Sequence, residues 1–333
     1  MLLQLDLTIE AKLRDSKNLL AFSAGVDSSA LFFLLKAYKI KFDIALVNYG
    51  LRESAFKEQQ HAIELSKIHN LKCYTIQAPS YENNFEKNAR DFRYDFFDKI
   101  VAEYHYDNLL TAHQLNDQLE WFLMRLTKGA GVVELLGLEP LSEREHYTLI
   151  RPLLNHSKEE LLLYLKSNKL PYFVDKSNYE DKYERNRFRK EFSDKLLKVN
   201  REGIKRSFDY LRVDKKEILS DYRELFHYKE LYVLHYKTAI IKTRLIDRYL
   251  KKLGYLLSGN QRKELIKSHS IVLGGKWAVE IIEKKIFISP YRKSIKKMDK
   301  KFKEECRVLK IPSKIRAYLY EERLSPKALL EKI

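Results

Sequence analysis

Cysteine is nearly absent from this chain: Cys73 and Cys306 are the only two in 333 residues, far apart and without a C-x-x-C. That rules out a disulfide framework and supplies no zinc or iron–sulfur ligand set, so a reduced, cytoplasmic protein is expected. Long apolar runs are missing too. The opening MLLQLDLTIEAKLR carries a charge every few residues, and no uncharged stretch approaches the ~18 to 20 residues of a membrane span. Neither an anchor nor an address signal is expected. Disorder is excluded by 45% hydrophobic and 12% aromatic residues, and the length suits about two to three domains of ~150 residues.

Acidic residues are scarce in one half only. Residues 1–120 hold 14 Lys and Arg against 17 Asp and Glu; the rest of the chain's 63 basic and 46 acidic residues, 49 against 29, lie beyond. The first part is therefore −3 and the remainder +20. Such a surface suits a polyanionic partner, nucleic acid first, although a run of charge is also simply a solvated face.

The first half alternates short β-rich runs (Leu19 to Ser23, Asp43 to Asn48, Lys72 to Gln77, Asn108 to Ala112) with stretches of helical length and period (Ser28 to Tyr38, Ser54 to His69, Glu86 to Tyr104). This rhythm predicts an α/β fold, a doubly wound parallel sheet whose ligands bind at the carboxyl ends of the strands. After Arg151-Pro152 it changes. Ser157 and Glu160 stand at capping-box spacing before an amphipathic helix, and RNRFRKEFSDKLLKVNREGIKRSFDYLRVDKKEIL reads as a long basic helical stretch. Around Gly274-Gly275 and again at Glu283 to Lys285 the pattern alternates as in hairpins, and Tyr291 to Arg316 carries 11 basic residues against 3 acidic. Expected divisions are 1–195, an α/β domain; 196–270, a helical domain; and 271–333, a small basic region with a β-hairpin.

A further absence concerns LLAFSAGVDSSALFFLL, Leu19 to Leu35. Strand, tight turn and helix in succession aim unpaired N–H groups and the positive end of the helix dipole at one spot, which favours phosphate. Yet no lysine follows, as it would in G-x-x-x-x-G-K-S. Two readings fit: a phosphate cradle of another kind, or a helix start capped by Asp27 or Ser28. Ala24 suits the turn only where that position avoids positive φ.

Other polar constellations are similarly two-sided. In NFEKNARDFRYDFF, Arg90 and Arg93 share a helix face and can serve a ligand or pair with Asp91 and Glu86. In TAHQLNDQLEWFLMRLTKGAGVVELLG, His113, Asp117, Glu120 and Met124 form one stripe if the helix includes His113. Its carboxylates can hold a cation such as an ammonium group, or Asn116 or Asp117 can cap the helix.

In order, the phosphate loop Ser23 to Ser28, V-N-Y-G-L-R, N-x-E-x-x-A-R-x-x-R-Y-x-F-F, T-A-H-x-x-x-D-Q-x-E, L-x-R-L-x-x-G-x-G, R-P-L-L, Asp175-Lys176-Ser177-Asn178 and Arg185 to Arg189 resemble the tRNA(Ile)-lysidine synthetases, a branch of the PP-loop ATP pyrophosphatases. The resemblance covers Asn18 to Arg189. It implies a ligase: ATP adenylates the wobble cytidine of an isoleucine tRNA with a CAU anticodon at C2, and the ε-amine of free L-lysine then displaces AMP. By similarity, Ser23, Ala24, Gly25, Val26, Asp27 and Ser28 bind ATP, Asp27 also serves Mg2+, and Asp117 and Glu120 bind lysine. Arg90, His113, Arg185 and Arg189 join Asp27 as catalytic residues, and the basic regions contact tRNA.

Where that family reads H-H-x-D-D-Q-x-E-T, this chain has Gln114, Asn116 and Trp121 in place of the second His, the first Asp and the Thr. The 2-thiocytidine tRNA synthetases share the loop, but their sulfur transfer uses paired cysteines and only Cys73 lies in this half; a catalytically silent tRNA-binding protein is the other alternative. If the basic remainder grips tRNA through phosphates, log affinity falls linearly with log salt, by about 0.7 to 0.9 per phosphate neutralised. Filter binding across a salt series measures it, and an affinity indifferent to salt would return the excess to a solvated face.

Overall fold

The computed structural model describes residues 3–50, 53–81, 83–174, 184–293 and 298–331, apart from the side chains of Glu53, Ser54 and Ile240. Arg52 of V-N-Y-G-L-R and the stretch Asp175 to Asn178 lie outside the described residues. Two compact units make up the chain, Met1–Arg212 and Val213–Ile333.

The first unit runs α1 (Leu7–Arg14), β1 (Asn18–Ala21), α2 (Val26–Ala37), β2 (Phe42–Asn48), α3 (Glu53–Ile68), β3 (Cys73–Gln77), α4 (Phe85–Tyr104), β4 (Asn108–Leu110), α5 (Leu115–Leu126), α6 (Val132–Leu135), β5 (Leu141–Glu143), β6 (Thr148–Ile150) and α7 (Lys158–Ser167). Then come α8 (Glu184–Phe188), a π-helical turn (Arg189–Ser193) and α9 (Asp194–Ser220), which crosses the boundary. The sheet order is β3-β2-β1-β4-β6-β5, parallel except for β5.

Both faces of this sheet are buried, which is why its strands read as apolar runs rather than as alternation. In β1, Leu20 joins the core under α2, α3 and α7, while Leu19 joins Phe97, Ile100 and Val101 of α4. In β2, Ile44 and Leu46 belong to the first core and Ala45 to the second. The chain winds outward from β1 to β3 and then returns to the other side of β1 with β4. The carboxyl ends of β1 and β4 thus flank the point where the winding reverses, the place where such sheets hold their ligands.

The four strands and three helices expected in this half are present with small shifts of their ends, and Ser157 with Glu160 forms the expected capping box at α7. The basic helical stretch divides. Asn200 leaves helical geometry at φ −159°, ψ 83° and its Oδ1 accepts from Gly203 N at 2.8 Å, capping the second segment of α9 locally.

In the second unit β7 (Tyr222–Tyr228), β8 (Leu231–Tyr236), α10 (Ala239–Lys252), α11 (Gly259–Lys267), β9 (Ser270–Leu273), β10 (Trp277–Ile282), β11 (Lys285–Pro290), α12 (Lys300–Val308), α13 (Arg316–Glu321) and α14 (Pro326–Leu330) follow in order. The antiparallel sheet β7-β8-β11-β10-β9 again separates two cores by alternation. Leu234, Trp277 and Val279 face α10 and α11, whereas Val233, Ala278 and Phe287 face α12, α13 and α14. The turns at Gly274-Gly275 and Glu283 take positive φ as the hairpin reading requires. Strands β7 and β8, however, lie within 196–270, read above as helical. Their connection turns on Lys229 at φ +49° instead of glycine or asparagine, so the usual hairpin signal is missing from the sequence.

Candidate functional site

The loop after β1 is built from short polar side chains and one strained residue. Ser28 Oγ lies 3.2 Å from Ser23 N and 3.1 Å from Ser23 Oγ, and Ser29 Oγ donates to Ala24 O at 3.1 Å. Phe173 N donates to Ala24 O at 2.9 Å, tying the loop to the segment after α7. Ala24 is fully buried at φ +58°, so the condition under which alanine suits this turn without strain is not met. An L-residue there costs about 1–2 kcal/mol, in part offset by its buried methyl.

Gly25 is the N-cap of α2 and no side chain among the described residues caps that helix; neither Asp27 nor Ser28 does so. The first N–H groups of α2 therefore lack the partner a capped helix would give them. Gly25 itself sits at φ −74°, and a Cβ built on it would meet only Ser23 Oγ, at an ordinary 3.5 Å. Neither backbone angle nor packing requires glycine here. A ligand approaching the backbone closely would require it, as a phosphate on helix N–H groups would.

Asp27 Oδ1 is buried and has no hydrogen-bond partner among the described residues. Burial first, and then Asp117 and Glu120, push its carboxyl up to about 6, against the pull of Lys158 and Arg189. A lone buried carboxylate beside two others fits a cation, which would supply the missing charge and coordination. No group of three or more His, Cys, Asp or Glu side chains suited to a metal occurs among the described residues; a cation here would draw its remaining ligands from phosphate and water.

Across the winding reversal, β4 leads to His113 and α5. The helix begins at Leu115 with Gln114 as N-cap, so His113 precedes it and the expected stripe starts at Asp117. Asp117 closes a capping box, Oδ2 accepting from Gln114 N at 3.0 Å, so the capping role the sequence allowed is real. Its Oδ1 accepts from Arg185 Nη2 at 2.5 Å. Glu120, with no exposed surface, accepts from Arg185 Nε at 2.8 Å and from Arg189 Nε at 2.6 Å and Nη2 at 3.1 Å. Burial pushes the Asp117 carboxyl up, but Arg185, His113, the Gln114 N–H and Arg189 together hold it below the usual carboxylate range. Burial, opposed by Asp117 and aided by Arg151, Arg185 and Arg93, lowers His113 to about 4. It is a neutral imidazole at pH 7, with Nδ1 2.9 Å from Thr111 Oγ1.

The structure thus brings together Asp27, His113, Asp117, Glu120, Arg185 and Arg189. Arg90 stands apart: it is exposed and lines a cleft of about 470 Å³ with Tyr94, Asp98, Arg144 and Tyr147. The half-buried Arg93, on the same helix, is the one that acts on both Tyr49 and His113. Arg151 opens the recognised R-P-L-L but was given no role of its own, and Lys158, a little beyond that motif, escaped sequence reasoning. The three departures are accounted for locally. Gln114 caps α5; Asn116 Oδ1 accepts from Lys158 N at 3.1 Å while its Nδ2 donates to Asp194 Oδ1 at 2.8 Å, a contact an aspartate cannot make. Trp121 packs its indole where a Cβ on Gly137 would collide with it.

Fold and loop together define a PP-loop protein, and residues 3–196 match the PP-loop domain family. A tRNA(Ile)-lysidine synthase of Campylobacter jejuni is 46% identical over 96% of this chain and 98% of its own length. Relatives of the same name from Wolinella succinogenes (42%, covering 93% and 95%) and Helicobacter pylori (39%, covering 93% and 91%) extend the match. The chain belongs to the tRNA(Ile)-lysidine synthase family.

The raised Asp27 carboxyl makes a testable statement about stability. A carboxyl whose folded value lies above its ordinary 3.8 contributes its stability below 3.8 and loses it as pH rises through about 6. Asp27→Asn therefore raises the unfolding free energy of the ligand-free protein above pH 6 by about 1–3 kcal/mol, and the gain vanishes in acid. Urea unfolding at several pH values checks this; a loss of stability above pH 6 would contradict it.

Proposed function

We propose that this chain is a ligase that joins the ε-amine of free L-lysine to C2 of the wobble cytidine in an isoleucine tRNA bearing a CAU anticodon, with ATP split to AMP and pyrophosphate. The observation that carries this reading is the meeting, at the winding reversal, of an uncapped phosphate loop with a buried carboxylate pair. In the first step the C2 oxygen attacks the α-phosphorus. The bond to pyrophosphate breaks and its electron pair leaves with pyrophosphate, whose charge the α2 N–H groups and the Ser23 and Ser28 hydroxyls would bind. Asp27 would hold Mg2+, whose chemistry is to neutralise phosphate charge.

In the second step lysine attacks C2 and AMP departs. An ammonium group is no nucleophile, so the site must bind lysine and take its proton. Asp117 and Glu120 would bind the lysine or help to deprotonate it. The guanidinium groups of Arg185 and Arg189, bonded to the same carboxylates, disfavour a third cation nearby and so favour the free amine. His113, neutral by burial, would serve as a hydrogen-bonding wall for the base; the charge on phosphate falls to the arginines. Arg90, on the neighbouring cleft, would act on a more distant part of the tRNA. Residues 1–195 would carry the chemistry, 196–270 and 271–333 the contacts with tRNA by shape and phosphate, in the cytoplasm.

Glu120→Gln is expected to leave adenylation of tRNA while slowing lysine attack at subsaturating lysine by about ten- to a hundredfold, the worth of a charged hydrogen bond of about 1.5–3 kcal/mol. Single-turnover assays with labelled ATP and labelled lysine, on variant whose far-ultraviolet circular dichroism matches the parent, separate the steps. Loss of adenylation with lysine affinity unchanged would assign the carboxylate to ATP or its metal.

A further inference from the structure

The phosphate loop carries no lysine of its own, and the fold returns one from elsewhere. Lys158 opens α7, the helix that packs beside α2 in the same core. Its placement is built, not incidental. Lys158 N donates to Asn116 Oδ1 at 3.1 Å, Leu115 N donates to His156 O at 2.9 Å, and Ser157 and Glu160 close a capping box around the same turn. These bonds bind the start of α7 to the start of α5, and the chain beyond α7 returns to the loop through Phe173 and Ala24. The side chain is half-buried, and its Nζ has no hydrogen bond or ion pair among the described residues. The neighbouring basic groups differ: Arg185 and Arg189 are bonded to Asp117 and Glu120, and Lys205 and Arg201 lie against Glu160.

We propose that Lys158 is the ammonium group that binds the phosphates of ATP on this loop, the spatial substitute for a P-loop lysine. The proposal rests on the PP-loop reading of the site. Asp27 lies on the loop side of the same space, close enough for the charges of Lys158 and Arg189 to act on it. A half-buried cation with no hydrogen-bonded anion gains from one that joins it, and a lysine acts on phosphate as a point charge.

The test measures binding of ATP, pyrophosphate and adenosine to the full chain by calorimetry. Lys158→Ala is expected to weaken ATP and pyrophosphate by about ten- to a hundredfold and to leave adenosine within about twofold, with Lys158→Arg recovering most of the loss because the charge is kept. Unchanged ATP and pyrophosphate, or an equal loss of adenosine, overturns the proposal. Gly25→Ala distinguishes this failure from that of the loop reading, since a methyl there fills the cradle. If Gly25→Ala abolishes pyrophosphate binding and Lys158→Ala does not, Lys158 alone is misassigned; if neither variant loses it, the loop does not hold phosphate at all.

Discussion

The site hangs on one buried charge network. Asp117 and Glu120 project from α5, and Arg185 and Arg189 come from α8 and the π-helical turn to meet them. Taking one member away from such a network costs about 3–5 kcal/mol, since the others stay buried and unpaired. The network therefore does more than fill a pocket: it fastens the segment after residue 183 onto α5 and fixes the direction of both. The π turn contributes to this, because Arg189 O accepts from Asp194 N five residues on, and Asp194 in turn accepts from Asn116. Turns of this kind are found repeatedly at functional sites.

Around that network the molecule leaves two imperfections uncorrected. Asp27 keeps a buried oxygen without a partner among the described residues, and Ala24 keeps a left-handed backbone. Each lowers the stability of the ligand-free fold, and each lies within one loop at the winding reversal of the sheet. Strain and unsatisfied charge collected at one place are the physical signature of a site whose missing partners are ligands. The uncapped start of α2 belongs to the same pattern.

Much of this was legible in the sequence, for definite reasons. A doubly covered parallel sheet writes its strands as short apolar runs, so β1 to β4 stood out, while the Ser157–Glu160 capping box marked α7 and the Gly274-Gly275 turn marked β9 and β10. The loop and the Asp117–Glu120 pair were legible because their spacing is local. What local pattern cannot show is which distant side chain arrives. Whether Arg90 or Arg93 faces His113 depends on the rotation of α4, and the charge of Lys158 reaches Asp27 only because α7 packs beside α2. Strands β7 and β8 were hidden by a lysine occupying the position where hairpins usually place glycine. The departures at Gln114, Asn116 and Trp121 made sense only when Asp194, Lys158 and Gly137 were seen beside them.

The central claim is that one pocket joins lysine to a cytidine through an ATP-activated oxygen. The most direct measurement is the mass of the nucleosides recovered after incubating the protein with ATP, free lysine and unmodified isoleucine tRNA. The account predicts one cytidine heavier by a lysine less one water, formed with one AMP per modified tRNA. A cytidine in which sulfur replaces oxygen, or AMP released while every nucleoside keeps its mass, would contradict it.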